Sequence, residues 1–465
     1  MSNFFLKSQY TLEDLQQQVN NNWLIDYDNF TLLQLTQKLT RELKNFKLNQ
    51  QKTPIVFLNE PEPLKFIAGF LATIIEEVPV FLGNPHWQKL EWQRVQQLLQ
   101  PDLIWGSNYN IQSLPTINCP ISPTTPIIGI PTGGSSGSIR FAVHDLTTLT
   151  ASVKGFTKYF QTTSVNFYCT LPLYHVSGLM QLWRSLITGG HLAMVSYSDL
   201  KQGIKPNILP QDYFLSLVPT QLQFLLDRDR DWLSQFKTIL LGGAPAWRSL
   251  LERSRQHNIA VATTYGMTET ASGITYLKPQ DFLCGNYSSG KVLPHAKVEI
   301  IDEHNRVLEP NTVGKVKIQA DSLYYGYYPQ YCAIQKPLIT DDLGFIDRVG
   351  FLHIVGRNSQ KIITGGENVY PQEVEAAILA TKLVKDVCII GLEDEQWGQV
   401  VTALFVPLDR KVEVTAIEQQ LQQQISKYKQ PKYWLQVDSL LRNQKGKVNY
   451  SVLAKIADEL LQKQK

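Results

Sequence analysis

The sequence predicts an α/β protein: a large N-terminal domain of parallel α/β sheets with a barrel-like portion, then a small α+β C-terminal domain. Three observations lead there. Strand-like apolar runs alternate with amphipathic helical runs through the first half of the chain, the pattern changes near residue 291 to short alternating strands, and it changes again after Gly356-Arg357. The 465 residues, 43% apolar and 18% charged, leave room for about three cores at roughly 150 residues each and exclude disordered or collagen-like classes.

From Thr31 a helical stripe of Leu32, Leu35, Leu39 and Leu43 demands a core to pack against. Residues 54–58 read as a buried strand, 61–77 as a helix opened by prolines, 78–82 as a strand, about 87–99 as a helix and 102–105 as a third strand. That order implies right-handed crossovers onto a parallel sheet. The middle repeats it, with strands near 166–171, 191–195, 213–218 and 238–241. Residues 297–301 and 314–318 alternate as antiparallel or barrel-like strands should. The last unit has a helix from about Pro371, strands near 386–391 and 400–407, and a helix near 415–428. The expected domains are residues 1–356 and 357–465.

Lys and Arg number 44 against 41 Asp and Glu, a net charge of +3, far below the surplus of a dedicated nucleic-acid binder. Small molecules are the expected partners, with no nucleic acid; oligomeric state is left open. No apolar run of about 18 residues exists, and the first seven residues lack a basic flank and apolar core, so a cytoplasmic chain without membrane insertion is expected. Five scattered cysteines, never in C-x-x-C spacing, suggest neither disulfides nor zinc.

The loop T-G-G-S-S-G-S-I-R at 132–140 follows an apolar run and precedes a strand at 141–144. Its glycines let backbone amides turn toward a ligand, and its hydroxyls and Arg140 add donors for phosphate oxygens. It is neither a Walker A loop nor a G-x-G-x-x-G turn. By itself it reads equally as a flexible linker.

The loop resembles the T-S-G-[ST]-T-G-x-P-K pattern of the adenylate-forming enzymes, which include acyl-CoA synthetases, with Gly133, Ser136, Ile139 and Arg140 in place of the usual Ser, Thr, Pro and Lys. Further blocks resemble that family in its order: P-L-Y-H-V-S-G at 172–178, L-G-G-A-P at 241–245, T-Y-G-M-T-E-T at 264–270, T-D-D-L-G at 340–344, G-G-E-N-V-Y-P at 365–371 and N-Q-K-G-K-V at 443–448. The resemblance implies ATP, Mg²⁺ and CoA as ligands. It assigns the phosphate loop to Thr132, Gly133, Gly134, Ser135, Ser136, Gly137 and Arg140, and the adenine lining to Gly243, Ala244 and Pro245. It also implies Thr264, Tyr265 and Gly266 at the purine, Thr268 at the α-phosphate, Glu269 on Mg²⁺, Asp342 at the ribose and Arg357 at the nucleotide. It implies Lys447 on the reacting carboxylate, and a small C-terminal domain that swings about Ser359 between adenylation and thiol capture.

The chemistry agrees with it. A carboxylate must exchange an oxygen for a phosphate leaving group, so cations must offset the repulsion of two anions; hard Mg²⁺ suits Glu269, and Lys447 supplies a point charge. The run from Leu173 to Arg184 and Ala142-Val-His144 most resemble the 2-succinylbenzoate-CoA ligase subgroup, of menaquinone and phylloquinone synthesis. Such an acid keeps a second carboxylate, costly to bury unpaired, for which Arg184 and Ser177 are candidate partners. His175 is expected to shape the acyl pocket and thiol channel. Open alternatives are His175 as a core histidine, Arg184 facing solvent, Tyr265 as core packing, another aryl- or short acyl-CoA synthetase, and a non-catalytic acyl-adenylate-binding protein.

Overall fold

Two stacked sheets share one layer of helices. The computed structural model describes residues 10–87, 89–107, 126–133, 139–332, 334–364, 367–394, 397–409, 412–440, 448 and 450–464. The eight-stranded sheet runs, edge to edge, Leu24–Ile25, Leu192–Met194, Asn166–Cys169, Tyr213–Leu217, Thr238–Leu241, Val261–Met267, Ser272–Tyr276 and Lys291–Val292. Its first six strands are parallel, and the last two turn antiparallel. The seven-stranded sheet runs Gln330–Tyr331, Gly326–Tyr328, Ile139–His144, Ile128–Gly133, Val80–Leu82, Val56–Asn59 and Leu103–Gly106. Its parallel half lies at residues 56–133 and its antiparallel half beyond.

Side chains alternate across a strand, so each sheet feeds two cores. Phe167, Cys169, Phe214 and Leu240 face one core with Leu58, Val80 and Ile130 of the other sheet, while Tyr168, Leu215, Ile239 and Leu241 face the opposite side. Helices Pro63–Ile75, Leu146–Phe160 and Val176–Thr188 fill the shared space. Phe57, Phe81 and Phe141 pack with Trp87 and Trp92 on the outer face of the seven-stranded sheet. Truncating one such buried leucine, Leu240 for example, costs about 2–5 kcal/mol.

The helix expected from Thr31 is Asn29–Gln50, started earlier because the Asp28 carboxylate accepts from the amides of Phe30 and Thr31. The proline-led helix shortens to Pro63–Ile75. A helix at Leu12–Asn20, capped by Thr11 and Asp14, was not expected. The alternating strands beyond 291 form an antiparallel sheet in the order Ala296–Ile301, Gly314–Ala320, Leu338–Ile346, Leu352–Arg357. Its end strands are not paired with each other, so the expected barrel-like portion is an open sheet. Four twisted strands are too few to close a ring.

The C-terminal residues build a separate five-stranded sheet: Glu367–Val369, Ile362–Thr364, Gly398–Pro407 and Val384–Asp394 in order, with Tyr433–Gln436 also on Gly398–Pro407. Val387 and Ile389 meet helices Pro371–Ala380 and Val414–Leu421, while Cys388 and Ile390 meet helix Tyr450–Gln464. Both faces are therefore covered by the unit's own helices. The expected helix near 415–428 stops at Leu421. Among the described residues no helix is long and apolar enough to cross a membrane.

Candidate active site

The site grows from the end of strand Val261–Met267, where the parallel sheet turns antiparallel and its register slips between Tyr265 and Gly266. A Cβ at Gly266 would sit 2.2 Å from the Ser272 carbonyl, so only glycine allows this turn. A 3₁₀ turn Thr268–Thr270 follows, then Ala271 and Ser272 at φ +49° and +89°. Left-handed backbone at two non-glycine residues must be held by its surroundings. Four consecutive carbonyls are held here. His144 Nε2 donates to Thr268 (2.9 Å), the Tyr324 amide to Glu269 (2.8 Å), Ser322 Oγ to Thr270 (3.0 Å) and Ser152 Oγ to Ala271 (2.8 Å).

His144 is fully buried, and burial holds its pKa down at about 4, so the ring is neutral. A carbonyl only accepts, so Nε2 carries the proton and Nδ1 accepts from Thr148 Oγ1 at 3.0 Å.

Glu269 is buried, and its Oε1 accepts a 2.6 Å hydrogen bond from the Tyr327 hydroxyl. The Arg140 guanidinium lies 4.2 Å from the Tyr327 ring centroid. Strand alternation explains the group: Arg140, Ala142 and His144 share one face, and Tyr327 pairs with Ala142, whose small side chain leaves the space to its neighbours. Burial first, then the Glu269 charge, push the Tyr327 and Tyr324 phenols up.

On the other side, Tyr265 donates to Asp342 Oδ2 at 2.7 Å and Arg357 Nε to Oδ1 at 3.1 Å. Burial and the Asp342 charge push the Tyr265 phenol well above its usual range. Asp342 and Arg357 are direct cross-strand partners. Alternation also separates the two neighbouring aspartates. Asp342 is buried, whereas Asp341 is exposed and accepts from the amide of Ser359 at 3.2 Å and from its hydroxyl. A carboxylate offers about four lone-pair positions, so Asp342 keeps two for a ligand.

Gly243, Ala244 and Pro245 follow strand Thr238–Leu241, at the carboxyl end of a parallel strand where such sheets bind ligands. Their neighbour Gly242 lies against the Thr264 side chain, and among the described residues the buried Thr264 hydroxyl has no hydrogen-bond partner. Thr132 and Gly133 pair with Arg140 and Ile139 across a hairpin, which brings the loop's two ends together. Gly134, Ser135, Ser136, Gly137 and Lys447 lie outside the described residues.

His175 caps helix Val176–Thr188, half-buried against the Tyr174 ring at 4.5 Å, and Ser177 is exposed. Arg184 does not face solvent: it is 2% exposed, with its guanidinium 4.5 Å from the Phe156 ring and Nη2 donating to Ser152 Oγ at 3.3 Å. Among the described residues its Nε has no hydrogen-bond partner and no carboxylate pairs with it. His295 packs on Gly155, where any Cβ would strike the ring, and its Nε2 meets Ser322 Oγ at 2.9 Å. Burial holds His295 down at about 4, with the Arg184 charge adding to that and Asp321 opposing it. Ser152, Gly155 and Phe156 share one helix face, and Arg184 and His295 both pack against it.

Sequence reading did not single out Tyr327, Tyr324, Ser152, Ser322 or His295, and noted His144 only as part of a resembling run. These residues act through partners far along the chain, and no local motif marks them. Among the described residues no cluster of three or more His, Cys, Asp or Glu could hold a metal. Mg²⁺ on a nucleotide needs only one or two carboxylates beside the phosphates, and Glu269, with one hydrogen bond from Tyr327, keeps lone pairs for it. The donor set fits that ion.

Residues 69–328 match the family described as AMP-binding enzyme, and residues 373–447 match the AMP-binding enzyme C-terminal domain. The chain is 36% identical over 287 residues to a 2-succinylbenzoate-CoA ligase of Geobacillus sp. (strain WCH70), covering 60% of this chain and 58% of the relative. The matched stretch thus spans under two thirds of that relative's length. A second such ligase, from Enterococcus faecalis, is 30% identical over 324 residues, 68% of this chain and 67% of the relative. Among solved structures, o-succinylbenzoate CoA synthetase (MenE) from Bacillus subtilis, in complex with the acyl-adenylate intermediate OSB-AMP, shares the fold. Its TM-score is 0.78 at 24% identity, covering 95% of this chain and 97% of that one. With one match covering more than half of the chain and a second in its C-terminal region, the chain belongs to the AMP-binding enzyme family.

Proposed function

We propose that this protein is a cytoplasmic 2-succinylbenzoate-CoA ligase of menaquinone or phylloquinone biosynthesis. The acid's carboxylate attacks the α-phosphorus of ATP and displaces pyrophosphate. The CoA thiol then attacks the acyl carbon and releases AMP. The observation that carries the choice of acid is Arg184, a guanidinium 2% exposed whose contacts are the Ser152 hydroxyl and the Phe156 ring, with no carboxylate partner among the described residues. A buried cation without a counter-ion is costly, and a diacid's second carboxylate would supply the missing charge. A monocarboxylic substrate would leave Arg184 uncompensated. His295 beside it, held neutral, adds no second charge.

In this reading Asp342 holds the ribose and the Thr268–Glu269 turn faces the phosphates. Glu269 holds Mg²⁺, which supplies charge neutralisation between the nucleotide and the entering carboxylate. Lys447 meets the reacting carboxylate during adenylation. Residues 357–465 form the mobile lobe, turning at Ser359, which Asp341 latches in the present pose. A pyrophosphate-coupled assay over a panel of aryl, short-chain and dicarboxylic acids, with ATP, Mg²⁺ and CoA, tests the reading. Turnover highest with 2-succinylbenzoate, with AMP as product, supports it; preference for a monocarboxylic acid, or ADP as product, overturns it.

A further inference from the structure

Tyr327 touches both a side chain assigned to the metal and one assigned to the phosphates. Its hydroxyl donates to Glu269 Oε1 at 2.6 Å, while the face of its ring receives Arg140, with the guanidinium carbon 4.2 Å from the centroid. The Tyr324 ring lies edge-on at 5.0 Å, and the Tyr324 amide holds the Glu269 carbonyl at 2.8 Å. Glu269 is therefore fixed twice from one short segment, by backbone and by side chain. A carboxylate with one oxygen tied by a phenol cannot rotate freely, so the lone pairs it keeps for a cation are held in one direction. A cation resting on an aromatic face keeps its guanidinium edge open for phosphate oxygens.

We propose that Tyr327 is a positioning residue that sets both sides of the nucleotide site: its hydroxyl fixes Glu269 for the metal, and its ring face holds Arg140 for the phosphates. The proposal rests on the adenylating reading above, which assigns Glu269 and Arg140 their ligands. It predicts that the two functions separate by chemistry. Removing the hydroxyl weakens only the metal-dependent part of nucleotide binding. Removing the ring also weakens binding of ATP without metal.

Calorimetric titration with ATP, once with excess EDTA and once with Mg²⁺, on the full chain and its variants provides the test. For Tyr327→Phe the affinity for metal-free ATP stays within about twofold of wild type, while the gain on adding Mg²⁺ falls about tenfold, as for loss of a hydrogen bond to a charged group. For Tyr327→Leu the metal-free affinity also falls several-fold. In Glu269→Gln, adding Tyr327→Phe changes the Mg²⁺ gain no further, because the coupling is already lost. Thermal unfolding of each variant accompanies the titrations. A Tyr327→Phe protein with the wild-type Mg²⁺ gain, or with both affinities reduced in parallel, overturns the proposal. If wild-type protein releases no AMP with any acid, the adenylating reading fails instead.

Discussion

The Tyr265 hydroxyl donates a 2.7 Å hydrogen bond to Asp342, whose other oxygen accepts from Arg357 at 3.1 Å. One buried carboxylate thus joins the strand assigned to the purine, the strand assigned to the ribose and the last residue of strand Leu352–Arg357, at the start of the C-terminal region. Replacing Asp342 by alanine strands a buried phenol and frees the arginine. Stability falls by about 1–3 kcal/mol, and ATP binding weakens about tenfold or more. Urea unfolding and calorimetry measure the two effects separately; Asp342→Asn, which can still accept from Tyr265, recovers part of the stability but not the pairing with Arg357.

Two histidines give the protein an acid-sensitive stability. His144 and His295 both have folded pKa values lowered to about 4, against about 6.5 when unfolded. Between those values the unfolded chain binds protons that the native chain refuses. Stability therefore decreases as pH falls from 6.5 toward 4 and levels off below, each histidine contributing a loss of about 2 kcal/mol by pH 5. Urea midpoints at pH 7.5 and pH 5 read this out. His144→Gln, which retains a donor for the Thr268 carbonyl, shows a smaller drop between the two.

Arg184 makes a prediction of opposite signs. Replacing it by methionine, unbranched and apolar, removes a buried cation that no carboxylate pairs among the described residues and raises stability by about 1 kcal/mol or more without substrate. The same variant raises KM for 2-succinylbenzoate at least tenfold while leaving KM for ATP near wild type. A stability loss of several kcal/mol with unchanged acid kinetics would show that the guanidinium serves only the fold.

Lys447→Ala separates the two half-reactions. Acyl-adenylate formation falls about 10²- to 10³-fold, as for a charge contact used in the transition state, whereas thioester formation from supplied acyl-adenylate is largely spared. Rapid-quench measurement of each step checks it, and equal loss of both steps removes Lys447 from its assigned role.

Much of the fold was legible because its strands are short and alternate with helices, as at residues 54–58, 78–82 and 238–241. The boundaries moved where a local cap overrode periodicity, as Asp28 does for helix Asn29–Gln50. Glu269, Asp342 and Arg357 could be nominated because their residue types stand in short ordered blocks. Their supports could not. His144 meets Thr268 across 124 residues, and Ser152 meets Ala271 across 119.

The sequence by itself determined the order of strands and helices along the chain and the line of chemistry-bearing blocks, because side-chain alternation and backbone turns are local properties. Only the tertiary structure decided that Asp342 turns inward while Asp341 meets Ser359, that Arg184 is buried against Ser152 and Phe156, and that Tyr327 reaches Glu269. Strand register and packing between sheets made those choices, and they depend on contacts between residues that no local pattern relates.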